Sequence, residues 1–76
     1  MTRTYTIRTY AVHHRSDARR RLIIRAASSA SAMRAAAAHW GLRSQIGLSL
    51  VTARGYTDQQ IIAATMPEPR IIKGVK

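Results

Sequence analysis

Between residues 19 and 27, three of the four residues at every second position from Arg19 to Arg25 are arginine, whereas the positions between them are apolar from Leu22 onward. Because successive side chains of a β-strand point to opposite faces, this period of two predicts a strand with two unlike faces. We expect Leu22, Ile24 and Ala26 to face the core. The opposite, outward face carries Arg19, Arg21, Ile23 and Arg25.

Residues 3–13 predict a strand before this one, since Thr, Tyr, Ile and Val favour a pleated surface. The short segment "HHRSD" between the two strands indicates a turn and therefore an antiparallel hairpin. Alternation places Tyr5, Ile7, Thr9 and Ala11 on one face of the first strand. We assign the other face to the outward side of the hairpin. That face consists of Thr4, Thr6, Arg8, Tyr10 and Val12.

The segment "ASAMRAAAAHW" is the strongest helix signal, because alanine has the highest helix propensity. Ser28 or Ser29 can cap its first turn, and Gly41 is a favourable residue just past its end. Small alanines would let such a helix lie close to a sheet. The expected apolar stripe consists of Ala30, Met33, Ala37 and Trp40.

Residues 45–54 predict a third strand, with Ile46, Leu48 and Leu50 on one face. The segment "QIIAATM", residues 60–66, fits a fourth strand joined to the third by a loop, whereas residues 58–66 fit a helix begun by a capping box of Thr57 and Gln60. We favour the strand, because two hairpins flanking one helix would close the core. The prolines of "PEP" end this element. The final "RIIKGVK" either adds a short edge strand or trails loosely.

The expected fold is therefore α+β, a small antiparallel sheet with one helix packed on one face in the order β-β-α-β-β. A chain of 76 residues forms at most one domain, here residues 1–76. The other face of the sheet would be open to solvent or to a partner. An exposed edge strand would also permit a homodimer through sheet extension.

The charge of the chain points to anionic partners. Thirteen Lys and Arg residues stand against three Asp and Glu, a net charge of +10, and eleven of the thirteen are arginine. Such a balance attracts polyanions and acidic protein surfaces, and the planar arginine fork matches phosphate. Codon bias in a GC-rich genome would explain arginine over lysine but not the scarcity of acids. The chain has no cysteine and no apolar run long enough to span a membrane, so we expect a cytoplasmic protein.

The outward face is the candidate site. Arginine suits phosphate contacts, and bases stack on aromatic rings or guanidinium planes. Two other interpretations stay open: a solvated strand face with an incidental tyrosine, and a docking patch for an acidic protein surface anchored by Ile23 and Tyr10. The candidate partner- or nucleic-acid-binding residues are Arg8, Tyr10, Arg19, Arg21, Ile23 and Arg25.

Catalytic and metal-binding groups are scarce. His13 and His14 are adjacent, so on a strand they point to opposite faces and cannot easily grip one metal. We therefore expect no metal site and no cofactor. A basic ribonuclease using either histidine with an arginine is the enzymatic alternative, but these ingredients are nonspecific. General acid–base catalysis has few carboxylates to build on, and we expect no enzyme. The three acidic residues are Asp17, Asp58 and Glu68.

Two segments, "IRAASSASAMRAAAAHWG" and "ATMPEPRIIKGVK", resemble parts of small anti-CRISPR proteins of phages and mobile elements. They cover less than half of the chain. Those proteins inhibit type I CRISPR surveillance complexes, and they share so little sequence that no residue role carries over. The basic charge departs from the acidic, DNA-mimicking members. The resemblance implies a small, basic, non-enzymatic inhibitor that binds a nucleoprotein complex in the host bacterial cytoplasm. It would contact an acidic protein surface, the guide RNA or the target DNA. The alternative is a nucleic-acid-binding module that uses the basic sheet face.

Overall fold

The computed structural model describes residues 1–75 and contains one helix packed on a five-stranded antiparallel sheet. The predicted α+β class is confirmed. Residues 58–66 contain a strand rather than a helix, and "RIIKGVK" adds an edge strand, although Lys76 lies outside the described residues. The elements are β1 (Arg3–His14), β2 (Asp17–Ala26), α1 (Ser29–His39), β3 (Leu48–Thr52), β4 (Gln59–Ala63) and β5 (Arg70–Val75).

The core lies between α1 and one face of the sheet. Val12, Leu22 and Ile24 are its largest fully buried side chains, so the alternation in β2 predicted the core face correctly. Ala32 and Ala36 of the helix are also fully buried. Since alanine extends little beyond the backbone, the helix can approach the sheet closely over these two residues.

The register of the β1–β2 hairpin corrects the predicted faces of β1. Tyr10 pairs with Ile24 and Val12 with Leu22, so both lie on the helix side, and Tyr10 is only 8% exposed. The hairpin turns tightly at residues 15–16, and its register shifts between His13 and His14. A one-residue change of register exchanges the two faces of a strand. The burial of Tyr10 and Val12 favours this register, because they bring more apolar area to the core than Thr9 and Ala11 would.

Both ends of the helix match the prediction. The Ser28 side-chain oxygen accepts a hydrogen bond from the Ser31 backbone N–H at 3.1 Å. At the other end Gly41 has a φ of +67°, and the Leu42 N–H donates to the Ala37 carbonyl at 2.8 Å. This is a Schellman ending, which favours glycine because other residues are strained at positive φ.

The apolar stripe of the helix differs partly from the predicted one. Ala30 is exposed, while Ala37 is buried and Met33 and Trp40 pack against the core from its margin. Apolar residues recur only partly at helical spacing in α1. The face that packs on the sheet is the one with the smallest side chains. The buried helical residues are Ser31, Ala32, Ala36 and Ala37.

The third strand is shorter than residues 45–54. Leu48 is buried and Leu50 packs against the core, as predicted. Ile46 precedes the strand and is 89% exposed. Gly47, with a φ of +92°, separates it from β3 and ends the extended conformation there.

Strand pairing around β1 differs from the predicted arrangement of two hairpins. Residues 10–14 of β1 pair with β3, and residues 3–7 pair with β4. The fourth strand therefore continues along β1 instead of returning along β3. The main sheet has the order β3-β1-β2-β5, which makes β3 and β5 its edges. The β3–β4 connection, residues 53–58, consequently runs past the outward face, and this determines the candidate site.

Candidate nucleic-acid interface

The outward face is built from rows of directly paired residues. Antiparallel partners share a face, so the pairing identifies which side chains lie side by side. The central row contains Val51, Ala11, Ile23 and Lys73. One neighbouring row contains Ser49, His13 and Arg21, and the other contains Thr9, Arg25 and Arg70.

Residues 53–58 are fastened to this face by hydrogen bonds. The Ala53 N–H donates to the Thr9 carbonyl at 2.9 Å. The Arg25 guanidinium donates to the Thr9 hydroxyl at 2.7 Å and to the Thr57 carbonyl at 3.1 Å. These contacts hold the loop against the sheet, so that Arg54 and Tyr56 lie beside Arg21, Ile23 and Lys73.

The loop and the sheet line a cavity of about 360 Å³ that is open to solvent. Ile23 and Ala53 supply its apolar lining, and Tyr56, which is 44% exposed, supplies an aromatic ring. A second hollow of about 370 Å³ lies next to it and shares Arg21. The first cavity is lined by Arg21, Ile23, Ala53, Arg54, Tyr56 and Lys73, and the second by Ala11, His13, Arg21 and Val51.

The three acidic side chains lie elsewhere. Asp58 Oδ2 is 3.4 Å from Arg8 Nε, and Asp17 Oδ2 is 3.6 Å from Arg20 Nε. Glu68 lines a different cavity, near Arg25 and Arg70. No carboxylate among residues 1–75 lines either of the first two cavities. We call the first cavity the Tyr56 cavity. Its cations therefore face solvent, and no described carboxylate lies beside them in the cavity lining.

Only part of the predicted binding set comes together. Arg21, Ile23 and Arg25 lie on the outward face, and Arg19 is exposed. Arg8 and Tyr10 lie on the helix side of the sheet, so the prediction that they belong to the outward face is wrong. Arg8 is opposite Ala26 in the β1–β2 register, on the helix side. Its side chain forms an ion pair with Asp58. Tyr10 is buried in the core. Tyr10 is thus no anchor for a partner.

Sequence reasoning missed Arg54, Tyr56 and Lys73. The first two belong to a segment that breaks every periodic pattern, and Lys73 belongs to the tail. A signal did exist for Lys73, since "RIIKGVK" mixes apolar and basic residues in the manner of β2. For Tyr56 the signal is weaker: an arginine and an aromatic residue flank Gly55, whose φ of +88° allows the chain to turn there.

The histidines serve the fold differently. The His14 imidazole accepts a hydrogen bond from the Ser16 N–H at 3.1 Å, and this bond lies in the predicted turn. His13 lies on the outward face beside Arg21. Within residues 1–75 there is no group of three or more His, Cys, Asp or Glu side chains that could hold a metal ion. No helix in this part of the chain is long and apolar enough to cross a membrane.

No family model matches the sequence, and comparisons with curated proteins and with solved structures likewise find no match.

Proposed function

We propose that this protein is a non-enzymatic, cytoplasmic nucleic-acid-binding module that uses the outward face of its sheet. The observation that carries the proposal is the Tyr56 cavity, whose lining holds three cationic residues and one aromatic residue and, among residues 1–75, no carboxylate. We call the cations that line this cavity, together with the two arginines of the adjacent row of the sheet, the cationic face. It consists of Arg21, Arg25, Arg54, Arg70 and Lys73.

The chemistry of the cationic face suits a phosphate backbone. An arginine fork donates two parallel hydrogen bonds to phosphate, and each phosphate that is neutralised releases condensed counterions. If Arg21, Arg54, Arg70 and Lys73 each met one phosphate, log K would fall with log salt with a slope of about −3 for single strands. Arg25 contributes less, because its guanidinium already holds the loop.

The first test measures fluorescence anisotropy of short labelled DNA and RNA across about 50 to 200 mM salt, the range in which phosphate contacts are lost. The double variant Arg21→Glu and Lys73→Glu reverses two charges beside the cavity. Its matched control is Arg34→Glu with Arg43→Glu, which makes the same change in net charge. Arg34 lies on the helix, on the other side of the sheet, and both control residues are exposed.

We expect the double variant on the cationic face to bind at least about tenfold more weakly than the parent, with a shallower salt slope. The control should lose much less. Equal losses in the two double variants would show that binding follows total charge, and this result would overturn the proposal.

A second candidate function is inhibition of a type I CRISPR surveillance complex, in which the same face would contact nucleic acid and the adjoining protein. The observation in its favour is the apolar area among the cations, including Val51, which is 54% exposed. Phosphate binding alone does not require such area, whereas protein interfaces use it. Purified protein added to a type I complex and labelled target DNA should block target binding, and Arg21→Glu with Lys73→Glu should abolish the block. Full target binding at saturating protein would exclude this function.

A further inference from the structure

We infer that the cationic face takes single-stranded nucleic acid, with one unpaired base stacked on Tyr56 in the cavity between the loop and the sheet. This inference depends on the proposed function and narrows it to one class of ligand. The flanking phosphates would be bound by the cations that line the cavity, Arg21, Arg54 and Lys73.

The lining of the cavity matches the two parts of a nucleotide. The Tyr56 ring and the apolar side chains of Ile23 and Ala53 suit the faces of a base, while the cations suit its phosphate. Base stacking on aromatic side chains is tolerant of sequence, because every base has a π-face. The site would therefore select unpaired bases without requiring a particular one.

The size of the cavity favours an unpaired base over a duplex. Its volume of about 360 Å³ lies near the lower end of the roughly 300–1,000 Å³ typical of small-molecule sites. In a duplex the bases are stacked and paired, so one base could enter the cavity only after it had been unstacked, unpaired and flipped out, which costs free energy. A single strand presents its bases without this cost.

The loop that carries Tyr56 is held in place before any ligand arrives. Residues 53–58 are tied to the sheet by the Ala53 N–H and by the Arg25 guanidinium, which donates to the Thr57 carbonyl next to Tyr56. A preorganised loop loses less conformational entropy on binding.

The second hollow extends the site by a further nucleotide. It shares Arg21 with the first cavity, and it adds the His13 ring and the apolar Ala11 and Val51. Because Arg21 lies between the two hollows, its guanidinium can bond the phosphate that links two successive nucleotides. The strand would then cross the sheet from the Tyr56 cavity toward β3.

The decisive experiment compares Tyr56→Ala with Tyr56→Phe, using the same labelled single strand and a duplex of the same length. Tyr56→Ala should weaken single-strand binding about tenfold, since one base loses its stacking partner. Its salt slope should stay that of the parent, because the phosphate contacts are unchanged. Tyr56→Phe keeps the ring and should bind like the parent, and duplex binding should be the same in all three proteins. Since Tyr56 is nearly half exposed, these variants should fold.

A second readout locates the base directly. In Tyr56→Trp, tryptophan fluorescence should be quenched on titration with the single strand and should not respond to inorganic polyphosphate. The parent is the control, because its only tryptophan, Trp40, packs against the core on the helix side.

The outcomes separate the inference from the proposed function. If Tyr56→Ala binds the single strand like the parent while Arg21→Glu with Lys73→Glu abolishes binding, the stacking inference is overturned and the proposed function stands. If Tyr56→Ala weakens single-strand and duplex binding equally, the preference for unpaired bases is overturned. If the parent binds no nucleic acid, both fail.

Discussion

The Arg25 guanidinium donates to two oxygens, one on β1 and one on the loop that follows β3. One planar group thereby joins three segments that are distant in sequence. A lysine could not span both acceptors with the same fixed geometry, since its ammonium is a single point charge. Arg25 therefore has a structural role on the same face that we propose for binding.

We expect Arg25→Ala to lower the free energy of unfolding by about 1–2 kcal/mol, because it removes two charge-assisted hydrogen bonds, one of them half-buried and the other exposed. Urea unfolding followed by Trp40 fluorescence measures this. Arg21→Ala, on the same strand and face but exposed, should change stability by less than about 0.5 kcal/mol. Equal stabilities of the two variants would show that the Arg25 bonds contribute nothing measurable.

Ala36 and Ala38 are two helical alanines in opposite environments, the first fully buried and the second exposed. Ala36→Leu should destabilise the protein by about 1–3 kcal/mol, since the larger side chain must force the helix away from the sheet. Ala38→Leu, with the same change in composition, should be nearly neutral. Thermal unfolding of the pair measures the difference, and a neutral Ala36→Leu would contradict close packing of the helix at this position.

At the scale of elements, β1 is the strand on which the fold depends. Its last residues pair with β2 on one edge and β3 on the other, whereas its first residues pair with β4. Ile62 of β4 is 74% exposed, and none of the β4 residues is buried. A two-stranded ribbon without a buried face is marginally stable.

We accordingly expect backbone amides of β4 to exchange with solvent far faster than those of β2. Local opening of β4 exposes little apolar area, whereas opening of β2 requires the core to unfold. Native-state hydrogen exchange by NMR measures both strands in one sample. Equal protection of β4 and β2 would contradict the prediction and would indicate that another surface, such as a second copy, covers the ribbon.

The whole molecule is thin, with extents of 41 × 28 × 15 Å. That thickness accommodates one sheet and one helix, and the 53–58 loop lies upon the outward face. Because cations predominate in the sequence, much of this surface is positively charged. Only two ion pairs are found within residues 1–75, both exposed, so they offset little of the repulsion.

We expect stability to rise with salt, since screening reduces repulsion among like charges when the Debye length falls from about 30 Å at 0.01 M to about 3 Å at 1 M. The melting temperature across a sodium chloride series measures this. A melting temperature that falls with salt would contradict the prediction, because it would mean that attractive charge pairs outweigh the repulsion among the cations.

Local patterns predicted much of the fold. The alternation in β2 identified the buried Leu22 and Ile24, and the capping residues Ser28 and Gly41 gave both helix ends. These features depend on side chains within a few residues of one another, so the local sequence is enough to predict them. The strand character of residues 59–63 was also predicted, although its partner was not.

Register and long-range pairing were decided by the tertiary structure. Both faces of β1 carry apolar and polar side chains, and only the packing of Tyr10 and Val12 beneath the helix selects one register over its one-residue alternative. In the same way, pairing of β4 with β1 carries residues 53–58 across the outward face, which creates the Tyr56 cavity. The sequence by itself determined the order of the first five elements, the core face of β2, the ends of α1 and the excess of positive charge. Only the tertiary structure decided which cations, and which aromatic ring, stand together, because that depends on contacts between segments more than thirty residues apart.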